Sequence, residues 1–237
     1  MTRRRWIADE VHGNRAFLTG DHARHLAQVL RAKSGQEFDI VTGSEVRRGK
    51  IVSIAADRVE FELGEVLQET VRAEITVAIS IFKFDRMEWA IEKCTELGVA
   101  RLIPMIAVRT EKHLAQTAPK RAERWRKIAK QAAEQSRQAS VPQILDPVKL
   151  REIVRNQAGV RIVLSESETS LDLKDALPPN TSSLTLAFGP EGGWREDELA
   201  AFAEAGWTSA SLGPTILRAD TAVIAAVAVC GSILNGE

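Results

Sequence analysis

Two stretches in the last third of the chain combine residue types that could hold a ligand and act on it. In LTLAFGPEGGWREDELAAF, residues 184–202, an apolar strand ends at Phe188, and Gly189, Gly192 and Gly193 follow before an acidic helix start. Glycines there let a ligand approach the backbone closely, at the carboxyl end of a strand, where α/β sheets bind ligands. A simple turn needs fewer glycines than this. The spacing is neither a Walker A loop nor a GxGxxG, so the glycines alone do not name the ligand. In SLGPTILRADTAVIAAVAVC, residues 211–230, a strand ends at Leu212, a Gly-Pro loop follows, and a helix of small residues begins. Arg218 and Asp220 sit between that loop and that helix. They are candidates for chemistry, and equally Asp220 could serve as a helix N-cap and Arg218 as a surface charge.

A third segment, KRAERWRKIAKQAAEQSRQ, carries seven basic and two acidic residues between Lys120 and Arg137. Such a run is either a solvated helix face or a row of phosphate contacts. His22 and His25 are three apart on a helix, a spacing compatible with metal, but no cysteine or acidic partner supports a site, and we expect none. No Ser-His-Asp or Cys-His arrangement is arguable.

The elements that must position these residues fall into two patterns. In residues 1–72, Asp21 is a candidate N-cap before HARHLAQVLRA, and EFDIVTG, RGKIVSIAA and RVEFELGEV read as short strands. Short strands with turns and one brief helix predict a small β-barrel or sandwich. LQETVRAE, residues 67–74, reads as a connector. Residues 73–237 alternate strand and helix. ITVAISIF suits a buried parallel strand, and RMEWAIEKCTEL places Met87, Ala90, Ile91, Cys94 and Leu97 at helical spacing, with Gly98 as the stop. RLIPMIAV, VRIVL, LTLAF and SASL read as further strands. Helices are expected from about Lys120 to Gln138, burying Trp125, Ile128, Ala129 and Ala132, and near 195–205 and 221–234. The order predicts a parallel sheet covered by helices on both faces.

The 237 residues suffice for one large or two small domains with a buried core. Two cysteines, Cys94 and Cys230, exclude a disulfide framework or a cysteine-rich zinc site. No apolar run reaches the roughly 18–20 residues of a membrane span, and the start MTRRRWIADEV lacks the apolar stretch of a signal peptide, so a cytoplasmic protein is expected. The 32 basic and 32 acidic side chains cancel over the whole chain. They do not cancel locally: residues 1–150 hold 26 basic against 20 acidic, and residues 151–237 hold 6 against 12. That asymmetry suggests one part that meets a polyanion and one that does not.

KFDRMEWAIEKCTELGVARLIPMIAVRT, RWRKIAKQAAEQS, FGPEGGW and LGPTILRADTA, in this order and spacing, resemble the bacterial ribosomal RNA uridine-N3 methyltransferases of the RsmE type, in the SPOUT superfamily of S-adenosylmethionine-dependent enzymes. The similarity spans essentially the whole chain. It implies an N-terminal RNA-binding PUA-like β-barrel over residues 1–72. Over residues 73–237 it implies an α/β parallel-sheet methyltransferase domain whose C-terminal portion is a trefoil knot. It also implies a homodimer, with small-subunit ribosomal RNA or the assembled small subunit as partner.

Carried over by position, the S-adenosylmethionine site would comprise Leu164, Ser165 and Glu166; Phe188, Gly189, Pro190, Gly192 and Gly193; and Leu212, Gly213, Ile216 and Leu217. Arg218, Asp220 and Glu191 are the catalytic candidates. Arg218 would stabilise the developing uridine anion, and Glu191 or Asp220 would accept the N3 proton. Candidate RNA contacts are Arg4, Arg5, Arg31, Lys83, Arg86, Arg109, Arg124 and Lys127. Three positions depart from the family's usual pattern: Asp220 replaces glutamate, Thr215 replaces a basic residue or asparagine, and Gln138 replaces arginine, with Arg137 beside it. A methyltransferase of the same fold acting on another RNA or on a ribose hydroxyl is the alternative. A non-catalytic RNA-binding assembly factor is another, which the FGPEGG and ILRADT loops speak against.

Overall fold

The computed structural model describes residues 5–43, 45–67, 73–136, 138 and 140–235. They form two compact units, one comprising residues 1–71 with 133–140, the other residues 72–132 with 141–237. Of the sequence-based assignments, Arg4, Ser44, Arg137 and most of the 67–74 connector lie outside the described residues.

The first unit holds β1 (Arg5–Ile7), β2 (Glu10–His12), β3 (Arg15–Thr19), α1 (Gly20–Arg24), β4 (Glu37–Val41), β5 (Val46–Ile54) and β6 (Arg58–Val66). The sheet order is β1-β4-β5-β6-β3-β2, antiparallel except for the β1–β4 pair. Its two end strands are consecutive in sequence. Ala8 donates to the Val41 carbonyl and Asp9 to the Phe17 carbonyl, both at 2.9 Å, so the chain steps directly from one sheet edge to the other. That connection curls the sheet on itself, giving the PUA-like form expected from the short strands, and it leaves little free edge. Leu18, Ile40, Ile51, Val59 and Phe61 fill the interior, with Leu26 from the helical segment.

Asp21 is not the N-cap; Thr19 occupies that position, with no side-chain cap, and Asp21 lies in the first turn of α1. The expected single helix is also interrupted. α1 passes into a π-helical turn, His25–Val29, in which the Leu30 N–H reaches back to the His25 carbonyl at 3.0 Å. The His22 ring nitrogens face carboxylates of Asp9 at 3.2 Å and Glu134 at 3.0 Å.

The second unit contains β7 (Glu74–Ser80), α2 (Phe84–Glu96), β8 (Arg101–Ile106), α3 (Lys112–Ser136, its last residues counted with the first unit), β9 (Gln143–Ile144), β10 (Val148–Lys149) and α4 (Leu150–Asn156). It continues through β11 (Val160–Leu164), α5 (Leu173–Ala176), β12 (Ser183–Phe188), α6 (Glu196–Glu204), β13 (Thr208–Ala210) and α7 (Ala219–Asn235). The sheet order is β10-β8-β7-β12-β11-β13, with β9 also on β8, and every pairing is parallel. Its two faces bury separate clusters. Ile75, Val77 and Ile79 face α2, α3 and α7, while Ala78, Met105 and Val163 face Phe202 of α6 and Trp207. Alternation along β7 decides which residue meets which layer.

Four sequence-based expectations need correction. α3 begins at Lys112, eight residues before Lys120, and contains Pro119. Leu114, Ala118, Ala122 and Trp125 are buried at spacings of four, four and three, so one apolar stripe runs through the proline and holds the helix despite the lost N–H. Leu97 is not part of the buried face of α2; it sits at the helix C-cap, 40% exposed. Asp220 is not the N-cap of α7, because the Arg218 carbonyl already accepts the Ala222 N–H at 2.8 Å and Asp220 falls in the first turn. Finally, β1, β2, β3, β9, β10, α4 and α5 were not expected. They are short, and a three-residue strand carries too little periodicity to show in sequence.

Candidate functional site

The sheet register lines up three strand ends. Leu164 of β11 pairs with Phe188 of β12 on one side and Ala210 of β13 on the other, so the three following loops leave the sheet side by side. They enclose a cavity of about 340 Å³. Leu164, Ser165 and Glu166 line it from the first loop. Phe188, Gly189, Pro190, Glu191, Gly193 and Trp194 line it from the second, and Ser211, Leu212, Gly213, Thr215, Ile216, Leu217 and Arg218 from the third. Ala219 and Ala222 of α7 complete it.

The structure therefore gathers every sequence-based cofactor position except Gly192, along with two of the three catalytic candidates, Arg218 and Glu191. Asp220 does not line the cavity. Its Oδ1 instead accepts the N–H of Thr221 at 3.0 Å.

The backbone of the second loop is shaped by its glycines. A Cβ on Gly189 would lie 3.1–3.2 Å from the Trp194 indole, which covers it. Gly193 has φ +72°, and a Cβ there would meet Glu166 Oε1 at 2.8 Å. Trp194 was missed by sequence reasoning, although it directly follows the glycines. Its Nε1 donates to the Leu164 carbonyl at 2.8 Å, which ties the second loop to the first strand end, and its ring meets Phe202 edge-on at 5.1 Å between centroids. Ser165 is buried, with its Oγ 2.8 Å from that of Ser167. Ser211 Oγ donates to Asp172 at 3.0 Å and fixes the start of the third loop.

The cationic candidates divide into engaged and unengaged groups. Arg86 donates to Glu191 Oε1 at 2.6 Å. Arg109 Nη1 donates to the carbonyls of Gly192 at 2.6 Å and Trp194 at 3.2 Å. Arg124 forks onto Glu88 at 2.7 and 2.8 Å, and those bonds push its guanidinium pKa further up. Arg31 (φ +49°), Lys83 and Lys127 are exposed and form no ion pair among the described residues. Arg5 lies in β1, opposite Asp39 of β4. The basic run on α3 is thus partly neutralised, since Arg121 also reaches Glu88 at 3.5 Å and Arg126 bridges Glu123 and Asp146.

The residues present suit S-adenosylmethionine. The cavity falls in the ~300–1,000 Å³ range of small-molecule sites. Leu164, Phe188, Leu212 and Leu217 offer apolar surface for a purine ring, and the Glu166 carboxylate, unpaired among the described residues, offers a counter-charge for a cationic group. Among the described residues no cluster of histidine, cysteine and acidic side chains could hold a metal ion, and no helix is long and apolar enough to cross a membrane.

Known proteins with these features agree on one family. An RNA methyltransferase domain model matches residues 68–231, and an RNA methyltransferase PUA domain model matches residues 18–64. A Bacillus subtilis protein named Ribosomal RNA small subunit methyltransferase E is 33% identical over 237 aligned positions, covering 93% of this chain and 92% of the relative. A Mycobacterium tuberculosis protein of the same name is 34% identical, covering 93% and 87%. Among solved structures, a Neisseria gonorrhoeae Ribosomal RNA small subunit methyltransferase E bound to S-adenosylmethionine superposes with a TM-score of 0.80 at 28% identity, covering 96% of each chain. A Legionella pneumophila protein in complex with the same cofactor gives 0.77 at 27% identity, covering 97% of each. With matches that run nearly end to end and a cavity built from its signature loops, the chain belongs to the ribosomal RNA small subunit methyltransferase E family.

Proposed function

We propose that this protein transfers a methyl group from S-adenosylmethionine to N3 of a uridine in small-subunit ribosomal RNA. The observation that carries the reading is the cavity at the ends of β11, β12 and β13, with apolar side chains and Arg218 among its lining residues. When bound, the cofactor supplies an electrophilic methyl on a sulfonium, so the protein's own task is to place and prepare the acceptor. The apolar side chains Leu164, Phe188 and Leu212 hold the flat ring system and exclude water from it.

Uridine N3 bears a proton and is a poor nucleophile until it is lost. Arg218 forms no ion pair among the described residues and supplies a charge for the uridine anion as N3 is deprotonated. Of the two carboxylates considered for the proton, Glu191 is held by Arg86 at 2.6 Å, whereas the Asp220 carboxylate forms no ion pair among the described residues and accepts the neighbouring Thr221 N–H. Asp220 therefore takes the proton in this reading, directly or through water. The N3 lone pair then forms the N–CH₃ bond while the C–S bond to the donor breaks.

Residues 1–72 act as the RNA-binding PUA-like portion and residues 73–237 as the knotted methyltransferase portion. RNA contact falls to the unengaged cations Arg31, Lys83 and Lys127. The working unit is a homodimer in the cytoplasm, formed through α2 and α7, whose packed pair leaves Trp89, Val229 and Ile233 exposed. The partner copy brings RNA to the site.

The deciding experiment incubates purified protein with methyl-labelled S-adenosylmethionine and undermodified small subunits, followed by nucleoside analysis. Labelled 3-methyluridine is the expected product. Label on a ribose or another base would overturn the N3 assignment, and absence of label would favour a non-catalytic RNA-binding factor.

A further inference from the structure

One buried charge lies outside the cavity, in neither the apolar lining nor the proton path. Glu198, on α6, is 4% exposed. Its Oε2 accepts the Arg195 N–H at 2.9 Å, closing the first turn of its own helix. Its Oε1 accepts the Val108 N–H at 2.8 Å, from the loop that follows β8. The guanidinium of the next residue in that loop, Arg109, donates to Gly192 O at 2.6 Å and Trp194 O at 3.2 Å. Two segments 83 or more residues apart in sequence are thus sewn together by three hydrogen bonds, all donated from residues 108 and 109. The stretch so gripped, residues 192–195, includes Gly193 and Trp194, both of which line the cavity. Neither Arg109 nor Glu198 lines it.

We propose that Arg109 and Glu198 are positioning residues that set cofactor affinity by fixing the 189–195 loop from behind, and that Arg109 does not contact RNA. The inference rests on the methyltransferase reading and adds to it the loop after β8, which has no cofactor contact of its own. The physical basis is that both groups are committed. An ionised carboxylate only accepts, and each Glu198 oxygen already faces a backbone N–H; a buried N–H that loses such a partner is costly to leave bare. A guanidinium donating to two carbonyls of one tight loop holds that loop's curvature, which a point-charge ammonium cannot reproduce. Trp194 passes the constraint on, since its Nε1 reaches Leu164 O at 2.8 Å and its ring covers Gly189. Loosening residues 192–195 therefore disturbs two of the three loops of the cavity.

The test compares Glu198→Gln, Arg109→Ala and Arg109→Lys with the wild-type protein. Affinity for S-adenosylmethionine is measured by calorimetry and RNA binding over a salt series. Glutamine keeps the shape of Glu198 but turns one accepting oxygen into an amide that faces a donor. Glu198→Gln and Arg109→Ala should each weaken cofactor binding about tenfold, with Arg109→Lys recovering only part. RNA affinity and its salt slope should stay at the wild-type value in all three. An Arg109→Ala protein with a shallower salt slope and unchanged cofactor affinity would overturn the proposal and make Arg109 a phosphate contact. Should Glu198→Gln fail to fold, as judged by circular dichroism, the surface Arg109 pair still decides. A wild-type protein that bound no S-adenosylmethionine would overturn the methyltransferase reading itself, an outcome distinct from intact wild-type binding with insensitive variants.

Discussion

At the scale of single residues, the second cavity loop turns on glycines that cannot be exchanged for a common reason and for a local one. Gly193 combines φ +72° with a Cβ position 2.8 Å from Glu166 Oε1. A branched side chain there adds backbone strain of order 1–3 kcal/mol to a displaced carboxylate inside the cavity. Gly193→Val is expected to weaken S-adenosylmethionine binding by at least tenfold, read by calorimetry, and an unchanged affinity would remove Gly193 from the site. Chemistry at the cavity edge gives a separate expectation. Arg218→Ala and Asp220→Ala should each slow methyl transfer to ribosomal RNA by roughly 10²–10³-fold at saturating cofactor. If both proteins worked at the wild-type rate, neither residue would belong to the mechanism. The cavity-lining positions Gly193 and Arg218 were legible in sequence because a glycine run and an arginine follow strand ends in recognisable motifs. Glu198 and the role of Arg109 were not, since their meaning lies in partners about 90 positions away in the chain. The spacing of Arg195 and Glu198 does match the helix-start pattern in which a glutamate reaches back to the N-cap N–H, and that was the one available signal.

At the scale of elements, periodicity carried the large helices and parallel strands well and the short pieces poorly. α2 buries Met87, Ala90, Ile91 and Cys94, and α7 buries Val223, Ala226, Val227 and Cys230, each in an i, i+3, i+4, i+7 pattern. The expected helix from about Lys120 starts eight residues too late, because the apolar stripe that continues through Leu114 and Ala118 across Pro119 was not followed back. The π-helical turn after α1 has no sequence mark at all. Packing of α2 with α7 has a titration consequence. Burial pushes the Cys94 thiol up to about 12, and the Cys230 thiol likewise to about 12. Both thiols are neutral in the folded protein at pH values where an unfolded thiol, near 9, ionises. The stability this burial carries is complete below about pH 9 and is lost as pH rises towards 12, at about 1.4 kcal/mol per pH unit for each thiol. Chemical denaturation at a series of alkaline pH values should show that decline, and Cys94→Ala should shallow it. A slope that Cys94→Ala left untouched would mean the alkaline loss arises elsewhere.

At the scale of the whole molecule, the zero net charge conceals a basic first 150 residues and an acidic remainder, and the structure refines which cations count. Arg86, Arg109, Arg121, Arg124 and Arg126 are spent on carboxylates or carbonyls of the same chain. A helix rich in lysine and arginine therefore offers RNA fewer charges than its sequence suggests, a distinction that composition cannot make. The apolar surface tells a parallel story. α2 and α7 bury one face of each against the sheet and each other, yet Trp89 is 45% exposed, Ile233 44% and Val229 37%. A contiguous apolar patch on a protomer marks an interaction surface, and the dimer proposed above would cover these side chains with a second copy of the same helix pair, the self-complementary arrangement of a two-fold axis. Trp89→Glu puts a charge on that surface without burying it in the protomer. Light scattering at micromolar concentration should give twice the chain mass for the wild type and the single-chain mass for Trp89→Glu, with the thermal unfolding of the variant becoming independent of protein concentration. A wild-type protein that ran as a single chain would dissolve the dimer and require RNA to be held by one copy alone.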